Sequence, residues 1–224
     1  MIREIIVAGI KFNNYSVREM LAQIEKNLHD NVFTSVQEVY MKTLLMAKED
    51  AVLKEAVESI DLTVIAETGI LDAANQLTLF RKREIEGNDF FLQFMKRVER
   101  NGMTLFLLGE SEKEIERVCE YLSDEFPRIK MVGAKQLEDT MGAQERVINE
   151  INMLSPNVVL SVLPSPKQEL FIAEHRKMLS ANLWYGIGEG KVSGRSNRFN
   201  KFVMRMLRKR ELLKCANDRE EEVE

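Results

Sequence analysis

Short apolar runs alternate with amphipathic stretches along most of this chain. Residues 103–108, 157–163 and 182–187 are almost continuously apolar, which is typical of β-strands that are covered on both faces. Helices are predicted near 142–154 and 166–179, because apolar residues recur there at helical spacing. The alternation predicts an α/β fold with a Rossmann-like open, mainly parallel sheet and helices on both faces.

Shorter segments complete the series. Ser16 and Glu19 have the spacing of a capping box at the start of the first helix. The remaining predicted strands are 3–9, 31–36, 62–66 and 129–133, and the remaining predicted helices are 16–28, 38–48, 50–60, 70–80, 89–101 and one that begins at 111. The strand at 31–36 would deliver Thr34 at its end. No internal repeat or low-complexity linker interrupts the pattern.

The clearest local signal is the start of the helix that follows the strand at 157–163. Pro166 suits the first helical position, because its missing N–H would have no partner there. Ser165 is predicted to cap free backbone amides, and Gln168 to reach back as the second half of a capping box. Lys167 runs against the usual preference for acidic residues at the positive end of a helix. An anionic ligand would account for this lysine; a plain cap with a solvated lysine is the alternative.

Three loops are predicted to meet at one edge of the sheet. Gly109, Ser165 and the pair Gly186 and Gly188 each follow an apolar run that is predicted to be a strand. The carboxyl ends of parallel strands lie at the same edge, where open α/β sheets bind their ligands. A single Gly-x-Gly is weak evidence, because tight turns use glycine without binding anything. The three loops together predict a binding pocket at this edge.

Composition narrows the function classes. The chain has 224 residues, of which 45% are hydrophobic and 30% charged, enough for one full hydrophobic core. A formal net charge of −4 argues against nucleic-acid binding through overall charge. Cys119 and Cys215 are far apart and lack metal-ligand spacing, so neither a disulfide nor a zinc site is predicted. No segment approaches the length of a membrane span, and a cytoplasmic protein is expected.

The carboxyl-terminal segment has a different character. Residues 199–214 concentrate cations among large apolar residues at near-helical spacing. Such a helix could lie on an anionic membrane surface, which would place the protein peripherally on the inner face of the cell membrane. Alternatively, it packs on its own domain or on another subunit, which leaves a homo-oligomer open. The predicted organisation is an α/β domain at 1–196, a basic helical appendage at 197–216 and an acidic disordered tail at 217–224.

Residues 160–169, LSVLPSPKQE, resemble the signature of the WecG/TagA/CpsF glycosyltransferases, glycosyltransferase family 26, which usually reads V-G-x-G-x-P-K-Q-E. The surrounding order agrees: residues 87–89 resemble the family's G-x-D, residues 107–109 its L-L-G-G and residues 186–188 its later G-x-G. The resemblance runs from about residue 3 to about residue 201. It implies an inverting transfer of an N-acetylmannosamine-type sugar from a UDP donor to a polyprenyl-diphosphate-linked acceptor. No metal or other cofactor is expected, and the implied pathway is bacterial cell-surface polysaccharide synthesis.

The resemblance also implies site residues. The family's aspartate, its proposed general base, falls at Glu67, and a base must reach the proton that it removes. Thr34 keeps the threonine of the family's T-x-N, while Val36 replaces the amide. Lys167 and the helix N-terminus would hold a diphosphate that gains charge as UDP departs. The implied catalytic residues are Glu67 and Thr34, and the implied substrate-binding residues are Gly109, Ser165, Pro166, Lys167, Gln168, Glu169, Gly186, Gly188 and Arg198.

Several positions depart from the family pattern. Glu110 replaces the second glycine of L-L-G-G, residues 137–139 replace a G-Y-F, and Arg198 lacks the proline that usually follows it. Two hypotheses therefore stay open. The first is an active, diverged transferase with Glu67 as the base. The second is a degenerate homologue that binds a nucleotide sugar or a partner transferase without catalysing transfer.

Overall fold

A six-stranded parallel sheet organises the computed structural model, which describes residues 4–188. The strands are β1 (Glu4–Val7), β2 (Ile10–Asn13), β3 (Thr34–Val39), β4 (Leu62–Ile65), β5 (Thr104–Gly109), β6 (Lys130–Gln136), β7 (Val158–Ser161) and β8 (Leu183–Gly186). The helices are α1 (Val17–His29), α2 (Met41–Glu49), α3 (Ala51–Glu58), α4 (Thr68–Ala73), α5 (Leu79–Glu86), α6 (Asp89–Arg100), α7 (Glu112–Glu125), α8 (Ala143–Leu154) and α9 (Lys167–His175). The predicted α/β class is confirmed.

The strand order in the large sheet is β4-β3-β8-β7-β5-β6, and every neighbouring pair is parallel. Leu183 pairs with both Thr34 and Val158, and Gly186 pairs with both Gln37 and Ser161. The three central strands therefore run in step, and their carboxyl ends reach the same edge.

Two hydrophobic cores cover the two faces of the sheet. On one face, Leu105, Leu107 and Tyr185 pack with residues of α1, α6 and α7. On the other face, Phe106 and Trp184 pack with residues of α8 and α9. Successive residues of a strand point to opposite faces, so a strand covered on both faces is apolar throughout. This is why the central strands were recognisable in the sequence.

The predicted strand at 3–9 is wrong in extent. β1 and β2 form an antiparallel hairpin outside the large sheet, joined by Ala8 and Gly9. Both turn residues have positive φ, 54° and 77°, as a type I′ two-residue turn requires. Burial alternates along the hairpin, as expected for a ribbon with one face on the protein, and its buried residues join a third core with α2, α3 and α4.

The predicted end of the second strand is also wrong. β3 begins at Thr34 instead of ending there, and it continues to Val39. Its polar residues obscured the strand, because they are buried through partners that lie far away in sequence. Ser35, for example, uses its N–H and its hydroxyl to donate to the Asp61 carboxylate, both at 2.8 Å.

The helix predicted at 70–80 is two helices, α4 and α5. Asn75 separates them with a positive φ of 53°, a conformation that asparagine tolerates better than most residues. The hydroxyl of Thr78 then accepts a hydrogen bond from the N–H of Arg81 and caps α5. The capping box predicted for Ser16 and Glu19 is present.

Some predictions fall outside the part of the chain that the structure describes. These are the basic segment at 199–214, the domain limits near 196 and 216, the acidic tail, and Arg198. Within residues 4–188, no helix combines the length and the apolar character needed to cross a membrane.

Candidate functional site

Polar side chains collect at the carboxyl edge of the large sheet. The chain leaves β4 at Glu67, β5 at Gly109, β7 before Ser165 and β8 before Gly188. Parallel strands deliver all these loops to one edge. The structure therefore brings together most of the residues that the sequence selected.

Thr34 is the exception. It is the first residue of β3, so it lies at the amino edge of the sheet, opposite the other selected residues. Its buried hydroxyl accepts a hydrogen bond from the Asn27 side chain at 3.0 Å and donates to the backbone carbonyl of Val32 at 3.2 Å. These contacts join the end of α1 to the start of β3. Thr34 therefore supports the fold at this edge of the sheet.

The start of α9 differs from the predicted capping box. α9 begins at Lys167, and Pro166 occupies the N-cap position without a side-chain cap. The Ser165 hydroxyl donates to Glu169 Oε2 at 2.9 Å instead of capping backbone amides. The predicted capping box does not form, because the side chains of Gln168 and Glu169 in this first turn are buried in the protein.

Gln168 holds the loop that follows β8. Its Oε1 accepts a hydrogen bond from the N–H of Gly188 at 3.2 Å. Gly186 makes room for this arrangement, since a Cβ there would lie 2.7 Å from Gln168 Cδ and 2.9 Å from Gln37 Oε1. Gly188 itself has a φ of 68°, which favours glycine. The two glycines therefore shape the edge of the site around a buried amide.

Glu169 lies beneath this edge, with only 2% of its surface exposed. Its carboxylate accepts from Gln37 Nε2 at 2.6 Å and from the Ser165 hydroxyl at 2.9 Å. Burial raises the pKa of Glu169, and the hydrogen bonds from its own backbone, Ser165 and Gln37 oppose that shift. These hydrogen bonds connect β3 to the first turn of α9 and hold that turn in position at the candidate site.

Glu67 follows β4 and stands at the N-cap of α4, with its side chain exposed. Its Oε2 accepts a hydrogen bond from the N–H of Met41 at 2.9 Å, so the carboxylate is held at the amino end of α2. Its negative charge is also one of the causes that raise the pKa of Tyr40. Glu67 is thus a fixed, solvent-accessible carboxylate at the edge between β3 and β4.

Lys167 extends from the first turn of α9 to two acidic side chains. Its Nζ donates to Asp139 Oδ1 at 2.6 Å and to the carbonyl of Leu137 at 3.1 Å, and lies 3.6 Å from Glu110 Oε1. The Lys167 side chain is 23% exposed. The positive charge of Lys167, for which the sequence predicts an anionic ligand, therefore has partners within the chain.

Sequence reasoning missed a second set of polar groups, at the ends of β3 and β8. Glu38 accepts from the Tyr185 hydroxyl at 2.8 Å, and the Tyr40 hydroxyl lies 2.9 Å from both the Glu38 carboxylate and the carbonyl of Ile187. Burial, reinforced by the charge of Glu38, raises the pKa of both tyrosines, so their hydroxyls stay protonated. The sequence pattern predicts that the strand ends at residue 36 and that a helix begins at residue 38, so it does not indicate Glu38 as a strand residue near the site.

A buried ion pair flanks the same edge. Arg81 Nη1 lies 2.6 Å from Glu84 Oε2, and the other oxygen of Glu84 accepts from the N–H of Val17 at 3.1 Å. The Arg81 Nε–H finds no acceptor among the residues that the structure describes. Within the same residues, no three His, Cys, Asp or Glu side chains are grouped to hold a metal ion.

A family model described as the Glycosyl transferase WecG/TagA/CpsF family matches residues 5–207. The chain belongs to this family. Proteins similar to it include the N-acetylglucosaminyldiphosphoundecaprenol N-acetyl-beta-D-mannosaminyltransferases of Staphylococcus aureus strains NCTC 8325 / PS 47 and MRSA252. Each is 23% identical over 188 residues, which cover 81% of this chain and 72% of the relative. The predicted family and the predicted enzyme class, a glycosyltransferase, are confirmed.

This member of the WecG/TagA/CpsF family differs from the usual pattern around Lys167. Glu110 stands where the family has the second glycine of L-L-G-G, and Asp139 belongs to the segment that replaces G-Y-F. Both replacements place a carboxylate beside the same ammonium group. Two departures that looked unrelated in the sequence therefore act at one point in space.

The buried carboxyl of Glu169 gives a pH-dependent prediction. A carboxyl whose pKa is raised on folding stabilises the fold below its unfolded pKa, and this contribution is lost as pH rises through its folded pKa. Glu169→Gln removes that loss, so the stability of the variant relative to wild type should increase as pH rises from the unfolded pKa of a glutamate through the raised folded pKa of Glu169. Urea denaturation at several pH values measures the difference. Glu120→Gln, on the exposed side of α7, is the control; a pH-independent difference at Glu169 would contradict the prediction.

Proposed function

We propose that this chain is an inverting glycosyltransferase of bacterial cell-surface polysaccharide synthesis. It moves an N-acetylmannosamine-type sugar from a UDP donor to a polyprenyl-diphosphate-linked acceptor. The names of the Staphylococcus aureus relatives, which are mannosaminyltransferases that act on a diphosphoundecaprenol-linked sugar, support this substrate class. The observation that carries the proposal is the position of Lys167 in the first turn of α9, at the same sheet edge as the exposed carboxylate of Glu67.

The donor binds at the first turn of α9. The positive end of a helix favours an anion, and Lys167 adds a full positive charge there. Gln168 keeps the Gly188 loop in place, and Glu169 with Ser165 keeps the turn that precedes the helix. Since UDP gains negative charge as it departs, groups fixed around the diphosphate stabilise the transition state more than the ground state.

The acceptor approaches Glu67. Glu67 removes the proton from the acceptor hydroxyl as its oxygen attacks the anomeric carbon of the donor sugar. The bond from that carbon to the diphosphate breaks on the opposite side, UDP leaves with the electron pair, and the configuration inverts. The hydrogen bond from Met41 fixes the carboxylate for this role. Thr34, at the other edge of the sheet, is given no part in transfer.

A lipid-linked acceptor also implies a place in the cell. We propose that the enzyme works on the cytoplasmic side of the membrane, with the basic segment at 199–214 against the anionic surface. The cations of this segment can interact with anionic lipid headgroups, and its apolar side chains with the acyl chains beneath them. Arg198 stays a predicted substrate contact in this arrangement.

One observation favours the second candidate, a degenerate homologue that binds a nucleotide sugar or a partner transferase without catalysis. Lys167 is engaged by Glu110 and Asp139 of its own chain. A site whose cation is already neutralised binds an anionic donor less tightly, which favours the candidate that does not catalyse transfer. The transfer reaction separates the two candidates, whereas binding of UDP is common to both.

Calorimetric titration with UDP tests the donor site. Wild type should release measurable heat, and Lys167→Ala should weaken binding by about tenfold or more, the usual loss for a hydrogen bond to a charged group. Lys96→Ala, which removes an exposed lysine from α6, is the control for a simple change of net charge. Heat-silent titrations on folded wild type would reject UDP-dependent transfer by this chain.

A further inference from the structure

Lys167 has nearly all of its hydrogen-bonding capacity committed inside the chain. An ammonium group has three N–H donors. Two of them reach Asp139 Oδ1 at 2.6 Å and the Leu137 carbonyl at 3.1 Å, and Glu110 Oε1 lies at 3.6 Å. A diphosphate that binds Lys167 therefore competes with these two carboxylates.

The two acids come from separate loops that are joined to each other. Glu110 follows the last residue of β5, and Asp139 lies between β6 and α8. The N–H of Leu137 donates to the carbonyl of Gly109 at 2.9 Å, and the Leu137 side chain is buried in the core. This backbone link and the buried leucine hold both loops beside the first turn of α9. The fold therefore fixes the backbone positions of both acids beside Lys167.

The charge balance at this point is unfavourable for an anion. One lysine faces two carboxylates, so the three side chains together carry a net negative charge. Asp139 has 85% of its side-chain surface exposed and Glu110 has 44%, which lets both swing away when a stronger anion arrives. Like charges a few ångströms apart repel each other even when water screens them.

We infer that Glu110 and Asp139 are affinity-determining residues of the proposed donor site, acting as an internal anion that competes with the ligand diphosphate for Lys167. The inference rests on the proposed function, and it predicts that the two acids lower the affinity of this chain for its donor. Ligands without phosphate do not meet this competition. The two acids therefore lower the affinity of the site for the diphosphate group and leave its affinity for the nucleoside unchanged.

The test compares Glu110→Gln, Asp139→Asn and the double variant with wild type in calorimetric titrations with UDP and with uridine. Each single substitution should tighten UDP binding, and the double variant should tighten it by about tenfold, in line with the repulsion that it removes. Uridine binding should not change. Glu138→Gln is the matched control, because it removes the same charge from the same loop but pairs with Arg146 at 3.5 Å instead of Lys167.

The outcomes distinguish this inference from the proposed function. If wild type binds UDP and the double variant binds no tighter than Glu138→Gln, the inference fails alone. If wild type is silent but the double variant binds, and Lys167→Ala in that background abolishes the gain, the inference holds and the wild-type donor site is closed by its own acids. If neither protein binds UDP, the proposed donor site and the inference fail together.

Discussion

Glu67→Gln should lower the rate of sugar transfer by about 10²- to 10⁴-fold, the usual contribution of a positioned general base. The substitution removes the ability to accept a proton while keeping an oxygen that can accept the hydrogen bond from Met41. The local structure should therefore survive, and the loss should appear in kcat more than in the KM for the donor. UDP should bind the variant as it binds wild type, because Glu67 does not hold the diphosphate.

Two further variants sharpen this prediction. Glu67→Asp keeps the carboxylate but shortens the side chain, so intermediate activity would measure how far the base must reach. Glu49→Gln, exposed at the end of α2, is the control for charge alone and should leave the rate unchanged. If Glu67→Gln transfers sugar at the wild-type rate, Glu67 is not the base and another carboxylate must be sought.

The largest effect on stability is expected at the buried pair of Arg81 and Glu84. Glu84→Gln leaves the guanidinium buried without a counter-charge, which should lower the free energy of unfolding by about 3 kcal/mol. The hydrogen bond from the N–H of Val17 can persist, since glutamine retains an oxygen at that position. Urea denaturation measures the loss, and two-state unfolding with an unchanged slope makes the comparison direct.

The double variant Arg81→Met with Glu84→Gln removes both charges and keeps the acceptor for Val17. It should recover most of the stability lost by Glu84→Gln, because an apolar replacement of a buried ion pair is often neutral or stabilising. Glu86→Gln is the matched control on the same helix, since Glu86 pairs at 3.9 Å with Lys82 and both are about half exposed. Loss of that exposed pair should lower the free energy of unfolding by less than about 1 kcal/mol. Equal losses at positions 84 and 86 would refute the account of the buried pair.

The parts of the fold that the sequence predicted well are those whose physical cause is local. The strands β5, β7 and β8 are apolar throughout because helices cover both of their faces, so a short window of sequence identifies them. Ser16 and Glu19 form their capping box within one helical turn. Such features depend on neighbouring residues only.

The misassigned strand β3 shows the limit of local reasoning. It carries buried polar side chains, which a hydrophobic pattern does not predict, and these are satisfied by distant residues. Gln37 is 132 positions away from Glu169, and Tyr40 is 147 positions away from Ile187. Since the polar network at the site is made of such pairs, Glu38 and Tyr40 could not be found before the strands were placed.

Lys167 illustrates the same division at the candidate site. Its unusual place in the first turn of a helix was visible in the sequence, as was the sheet edge to which Glu67 and the glycines belong. The carboxylates that meet it were noticed only as departures from a family pattern, at positions 57 and 28 residues before it. Both carboxylates lie beside one ammonium group because β5, β6 and β7 are parallel neighbours, which the sequence alone does not show.

The most direct test of the central claim is transfer itself. Purified full-length protein is incubated with UDP-N-acetylmannosamine and a polyprenyl-diphosphate-linked N-acetylglucosamine, and the lipid product is analysed by mass spectrometry and by NMR of the new glycosidic bond. The account predicts a lipid-linked disaccharide with inverted anomeric configuration, formed by wild type and strongly reduced for Glu67→Gln. Folded wild type that binds UDP but forms no disaccharide would contradict it and leave a binding protein that has lost its catalysis.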